Sequence, residues 1–296
     1  MSDSSTPVRP EVFEFPVAGG ALNVLRWPAP GRPVLLFAHA NGFNARTYTR
    51  LFAPLAGQYD IVAPDLRGHG LSTAPADPAT HRDWYGYAAD LTALAAAVSD
   101  DPVLLAGHSM GGVSAILAAG QAGLPVRGIA LIEPVLMPRP FYWIAHLPGG
   151  SGLMKHTPLY KGARKRKADW PDHDTAAQRY GRKSLFAGWA DGVLADYLED
   201  GLVPTDDGLT LSCSPAWEAA NFASHRHDVW GALRRISTPV RVLKGTRRDS
   251  TVRVAGALER AGVAVDRMDG AGHLIPQTHP LACAVWIDNW ARAQAG

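Results

Sequence analysis

The stretch Val103-Leu104-Leu105-Ala106-Gly107-His108-Ser109-Met110-Gly111-Gly112 decides how this chain reads. Its apolar first half has the length and composition of a buried strand, and the small residues after it suit a helix. Gly107 and Gly111 flank Ser109 at the spacing G-x-S-x-G. That spacing has a mechanical reason: a sharp strand-to-helix turn lifts the serine hydroxyl above the sheet. Glycine on either side removes Cβ atoms that would strike the neighbouring strand and helix. A helix starting behind Ser109 also aims its free N–H groups and positive dipole end at charge arising there. Ser109 is therefore the candidate nucleophile.

Outward from this turn, apolar strands alternate with helical stretches, the pattern of a mostly parallel sheet. Residues 11–17 and 20–27 read as an opening hairpin around Gly19-Gly20. Further strands are expected at Val34–Ala38, Asp60–Ala63, Val103–Ala106, Val126–Ile132, Val240–Lys244 and Val263–Arg267. Helices are expected at Ala45–Ala56, Trp84–Val98, Met110–Gln121, Val252–Ala261 and Leu281–Ala293, the fourth capped by Ser250 or Thr251. Between Ile132 and Val240 no clear strand is visible. A structureless loop of that length is uncommon in a compact domain, so residues 135–231 read as a helical lid with a small core of its own. The lid holds Trp143, Trp170, Trp189, Trp217 and Trp230, expected to form that core more than to wall a pocket.

Composition narrows the function. The chain has 296 residues, 47% hydrophobic and 19% charged, enough apolar material for a sizeable core. A net charge of +2 supplies no global field for nucleic acid or an anionic membrane. No apolar run is long enough to span a bilayer. The first seven residues have neither the basic nor the apolar part of a secretory leader. Cys213 and Cys283, far apart, read as two buried thiols in a reducing cytoplasm. The expected partner is a small-molecule substrate, the expected state a monomer or homodimer.

In its motif, its order of elements and its lid, the chain resembles the serine hydrolases of the α/β-hydrolase fold over nearly its whole length. The resemblance implies a core of residues 1–134 and 232–296, with 135–231 inserted as the lid. It implies the order nucleophile, acid, histidine, and no metal or organic cofactor. Phe37-Ala38-His39-Ala40-Asn41-Gly42-Phe43 follows a strand where the family has His-Gly-x; Ala40 replaces the glycine. By resemblance, the backbone N–H groups of Asn41 and Met110 form the oxyanion hole. His39 reads as a structural histidine that ties this loop down.

Serine is a poor nucleophile without a base, and imidazole titrates near working pH. Of eleven histidines, His273 is the candidate. Gly270 and Gly272 give its loop freedom to reach back over the carboxyl edge of the sheet, where Ser109 belongs. His279 reads as a solvated position before the last helix. His69, in Asp65-Leu66-Arg67-Gly68-His69-Gly70, belongs to a tight turn organised by Asp65.

For the acid, Asp249 stands in the loop where the family most often carries it, although Arg247 and Arg248 could hold it in a surface ion pair. Glu133 is the alternative. It closes the strand Gly128–Ile132, where haloalkane dehalogenases place their acid, though their nucleophile is aspartate. Lys161, Arg164, Lys165, Arg166 and Lys167 read as a solvated lid face or an attraction for an acidic substrate or partner. His225, His227 and Asp228 do not amount to a metal site. The expected activity is hydrolysis of a carboxylic ester of a small apolar or aromatic substrate. The same groups serve C–C bond or lactone hydrolysis and cofactor-free haloperoxidation, and the motifs do not separate these. A non-catalytic ligand-binding module is the reading from another class.

Overall fold

The structure, a computed structural model, describes residues 9–121 and 123–294. The first seven residues, read above as lacking a leader, lie outside the described residues. Eight strands form one sheet: β1 (Glu11–Val17), β2 (Gly20–Trp27), β3 (Val34–Ala38), β4 (Asp60–Pro64), β5 (Val103–His108), β6 (Val126–Ile132), and two after the insertion. Three short strands, β7 (Asp169–Trp170), β8 (Leu202–Thr205) and β9 (Gly208–Leu211), lie within the insertion. The last two, β10 (Val240–Gly245) and β11 (Ala264–Met268), complete the large sheet in the order β1-β2-β4-β3-β5-β6-β10-β11. β1, β2 and β4 pair antiparallel; every other pair in this sheet is parallel.

β5 is buried along its whole length, and its side chains divide between two cores. Val103 and Leu105 face one with Leu36, Val62 and Leu131; Leu104 and Ala106 face the other with Phe37, Ile61 and Ile132. This period of two explains why the strand reads as continuously apolar: both faces are covered. Helices Tyr85–Val98 and Met110–Ala119 supply the first core; Thr49–Phe52 and Pro280–Ala293 supply the second. Each buried Leu or Ile side chain stabilises the fold by about 1.5–3 kcal/mol before chain entropy is counted. From β3 the chain crosses to β4 on one side and later to β5 on the other. The order therefore reverses between β3 and β5, and a crevice opens at their carboxyl ends.

The insertion differs from the expectation of helices alone. It has seven helices, beginning at Arg139–His146 and ending at Val229–Arg235, but also the antiparallel sheet β7-β9-β8. Trp170, Ala176, Tyr180, Tyr197, Leu198, Leu202 and Leu211 form its own core, with Trp189 packed against them. Trp217 and Trp230 belong instead to the first large core, and Trp143 is exposed. The five tryptophans thus serve three different environments.

Two helices are shorter than expected. Ala45–Ala56 becomes a 3-10 turn at Ala45–Tyr48 and one α-turn at Thr49–Phe52. The helix expected from Val252 starts at Ala255, with Val254 at its cap, so Ser250 and Thr251 are free for another task.

Candidate active site

Ser109 sits at φ 57°, ψ −117° between β5 and the helix Met110–Ala119. Such backbone costs about 1–3 kcal/mol for a residue with a Cβ and persists only where the surroundings hold it. Here the Ser109 N–H donates to the Ile132 carbonyl at 3.1 Å. A Cβ on Gly107 would lie 2.7 Å from the Gly111 backbone, and one on Gly111 would strike the carbonyls of Ala38 and His39. Both glycines are therefore required by close approach.

His273 Nε2 lies 3.0 Å from Ser109 Oγ. Its Nδ1 faces Glu133 Oε2 at 3.3 Å and Thr251 Oγ1 at 3.1 Å. Facing a carboxylate, Nδ1 carries the proton, which leaves the Nε2 lone pair toward the serine hydroxyl. The sequence expectation for the acid is corrected here. Asp249 is exposed and pairs with Arg247 at 3.3 Å, whereas the Glu133 side chain is fully buried beside the imidazole. Arg247 pairs with the Asp249 carboxylate at the surface; the parallel pairing of β6 with β10 brings Glu133 to the histidine loop.

Glu133 occupies a built carboxylate site. Oε1 accepts from the Gly245 N–H at 2.6 Å and the Ser250 hydroxyl at 2.7 Å. Oε2 accepts from the Thr251 N–H at 2.7 Å. The Thr251 hydroxyl lies 3.1 Å from both Glu133 Oε2 and His273 Nδ1 and bridges them. Burial alone would raise the Glu133 carboxyl. The bonds from His273, Gly245, Ser250 and Thr251 outweigh it and hold the group below the usual range. Glu133 has φ 46°; with Ser109 it makes up the non-glycine residues of positive φ among the described residues.

The tip of β3 supplies the other wall. Asn41 and Met110 backbone N–H groups have no hydrogen-bond partner among the described residues. The Asn41 amide is clamped by the insertion: Nδ2 donates to the Glu218 carbonyl and Oδ1 accepts from Asn221 Nδ2, each at 3.0 Å. Beside Gly42, Glu218 pairs with Arg166, whose Nη2 also donates to the Tyr180 and Tyr197 hydroxyls at 3.0 and 2.7 Å. Arg166 is thus a half-buried strut, distinct from its exposed basic neighbours. His39 is buried, with Nδ1 donating to the Ala40 carbonyl and Nε2 accepting from the Leu66 N–H, both at 2.8 Å. Asp65 accepts from the N–H groups of Ala45 and Leu71 and from Asn23, which organises the turn holding His69.

His108 and Tyr48 escape a reading by motif. His108 Nε2 lies 2.9 Å from the His273 carbonyl, an acceptor only, so Nε2 carries the proton. Nδ1 then accepts from the Tyr48 hydroxyl at 2.8 Å, and that oxygen accepts from the Ala40 N–H at 3.0 Å. One directed chain joins the β3 loop to the histidine loop. Burial foremost, then the nearby His273, pushes the His108 imidazole down to about 3, so it stays neutral. Neither position announces itself in sequence, beyond the histidine preceding Ser109.

His225 and His227 are buried among Trp84, Phe141 and Tyr142. Among the described residues no group of three or more His, Cys, Asp or Glu side chains is placed to hold a metal ion. Cys213 and Cys283 are both buried free thiols. No described helix is long and apolar enough to cross a membrane.

Residues 35–285 match the model of the alpha/beta hydrolase family. The chain belongs to that family. Similar over its length is 2-(acetamidomethylene)succinate hydrolase of Mesorhizobium japonicum, 26% identical over 273 residues and covering 88% of each chain. N-formylmaleamate deformylase of Pseudomonas putida is also 26% identical, over 88% of this chain and 91% of the relative. Among solved structures, an E-2-(acetamidomethylene)succinate hydrolase superposes with a TM-score of 0.77 at 22% identity, over 96% of this chain and 99% of the other. This alpha/beta hydrolase thus shares its fold with that solved structure over nearly the whole of both chains.

Proposed function

We infer that the protein is a serine hydrolase in which Ser109 is the nucleophile, His273 the general base and Glu133 the acid. The observation that carries this reading is the row Ser109 Oγ, His273 Nε2, His273 Nδ1 and Glu133 Oε2, with separations of 3.0 and 3.3 Å across the ring. His273 takes the Ser109 proton as Oγ attacks a carbonyl carbon. Glu133 and Thr251 keep the proton on Nδ1 and stabilise the imidazolium that forms. The N–H groups of Asn41 and Met110 receive the oxyanion; losing one such donor typically costs about 3–4 kcal/mol of transition-state stabilisation. His273 then protonates the leaving group, and water activated by the same imidazole releases the acid from Ser109.

The substrate is a small carbonyl compound bound beneath the insertion, which acts as a lid. A carboxylic ester is the first choice, since an alkoxide needs the least help to leave. A second reading is hydrolysis of an N-acyl bond in a carboxylate-bearing compound. It is favoured by two relatives of matching length whose names refer to acetamidomethylene succinate and N-formylmaleamate. A panel of short p-nitrophenyl esters, N-acyl enamines and lactones, run on the parent and Ser109→Ala, tests the assignment. Turnover of an ester or N-acyl compound that disappears in Ser109→Ala supports it. Turnover retained in the variant overturns it.

A further inference from the structure

From Pro134 to Ala168 the chain carries seven of its 29 lysines and arginines and none of its 27 acids. Apart from Arg166, which is spent on Glu218, these cations are exposed: Arg139, Lys155, Lys161, Arg164, Lys165 and Lys167. None of the six is in an ion pair among the described residues. The same stretch exposes five large apolar side chains: Trp143, Ile144, Leu147, Leu153 and Leu159, with Trp143 70% and Leu159 64% accessible.

Three short helices produce this surface: Arg139–His146, Gly150–Met154 and Pro158–Arg164. Each turns a few residues inward, Tyr142 and Ala145, Met154, and Ala163 respectively. The first two helices pack on each other, and the third packs on Pro215–Ala223. An ordinary surface helix would set polar groups outward. These set leucines, isoleucine and tryptophan outward, interleaved with lysine and arginine.

We propose that residues 139–167 form a docking surface for an anionic lipid bilayer. Apolar side chains of this size gain by leaving water, and long basic side chains can lie along the apolar layer while their heads reach lipid phosphates. Tryptophan suits the boundary between the two, and each basic residue near an anionic leaflet adds attraction that salt weakens. A second copy of the chain is the poorer occupant. A two-fold contact would set the same six cations against themselves with no acid to neutralise them. The overall charge of +2 hides this surface because acids elsewhere in the chain balance it. The lipid surface is independent of the Ser109 chemistry and is tested without turnover.

The test is flotation of the full chain with vesicles of phosphatidylcholine alone and of phosphatidylcholine mixed with phosphatidylserine. Binding to the mixed vesicles is expected to exceed binding to the neutral ones roughly tenfold and to fall steeply with added salt. Trp143→Ser with Leu147→Ser, both at exposed positions, is expected to reduce it about tenfold, as is Lys161→Glu with Lys165→Glu. Ser109→Ala is expected to bind like the parent, which separates this surface from the catalytic reading. Absence of binding to mixed vesicles, equal binding to neutral ones, or indifference to both double variants overturns the proposal. So does a dimer in sedimentation that Trp143→Ser dissociates, which would assign the surface to a second copy.

Discussion

His108 Nε2 lies 2.9 Å from the main-chain oxygen of His273, so the residue preceding the candidate nucleophile holds the loop that delivers the candidate base. Through Tyr48 the same imidazole reaches Ala40, next to Asn41. The three parts of the site therefore rest on one another rather than on three independent loops.

Removing that link should slow chemistry more than it weakens binding. His108→Leu is expected to lower kcat about 10–100-fold with little change in KM, because a misplacement of about 1 Å costs rate of that order. His108→Gln restores an N–H near the Nε2 position and is expected to recover most of the loss. Steady-state kinetics of the two variants beside Tyr48→Phe check this. Equal damage in His108→Leu and His108→Gln, with both folded, would assign His108 a packing role only.

The acid is decided by paired substitutions. Glu133→Gln is expected to lower kcat by a factor of about 10⁴, the order seen when a triad acid is neutralised or removed. Asp249→Asn, at an exposed ion pair, is expected to stay within about twofold of the parent. Turnover of the same ester by both variants is the measurement, and a crippled Asp249→Asn beside a healthy Glu133→Gln would reverse the assignment.

Ser109 could be read in sequence because its signal is local: one strand, one turn and one helix lie within ten residues. The choice between Glu133 and Asp249 could not, because both follow strand ends that only become neighbours when β6 and β10 pair. Nothing in the text around either residue says which carboxylate turns inward. The signal that existed was the polar pair Ser250-Thr251, which donates to Glu133 instead of capping a helix. The insertion sheet was hidden for a different reason: strands of two to four residues are too short to show alternation. Trp217 and Trp230 pack in the first large core and not in the insertion's own, a difference that composition does not carry because a buried tryptophan does not say against what it packs.

Gly111 should tolerate no side chain. Gly111→Ala places a Cβ against the carbonyls of Ala38 and His39 and is expected to destabilise the fold by about 1–3 kcal/mol or more. Denaturant unfolding of the variant reads this directly; an unchanged midpoint would mean that the β3 loop yields.

Acid should destabilise the protein from just below neutrality. Burial foremost holds His69, His81 and His225 down at about 4, below the ordinary value of 6.5. The unfolded chain therefore binds more protons between about 6.5 and 4, so stability falls as pH falls through that window. Asp65, raised to about 6, and Asp196 and Asp200, also raised, all mainly by burial, act in the opposite sense. His39, His108 and His227 are likewise held down by burial, so six histidines stand against three carboxyls. Thermal unfolding at pH 7, 6, 5 and 4 should show a falling Tm, and a flat or rising Tm on acidification would contradict the burial of neutral histidines.

The most direct test of the serine chemistry is intact-mass analysis after reaction with a fluorophosphonate. The account predicts one covalent adduct, located on Ser109, absent in Ser109→Ala and at least about a hundredfold slower to form in His273→Ala. A folded parent protein that takes no label, or an adduct that survives in Ser109→Ala, would contradict it.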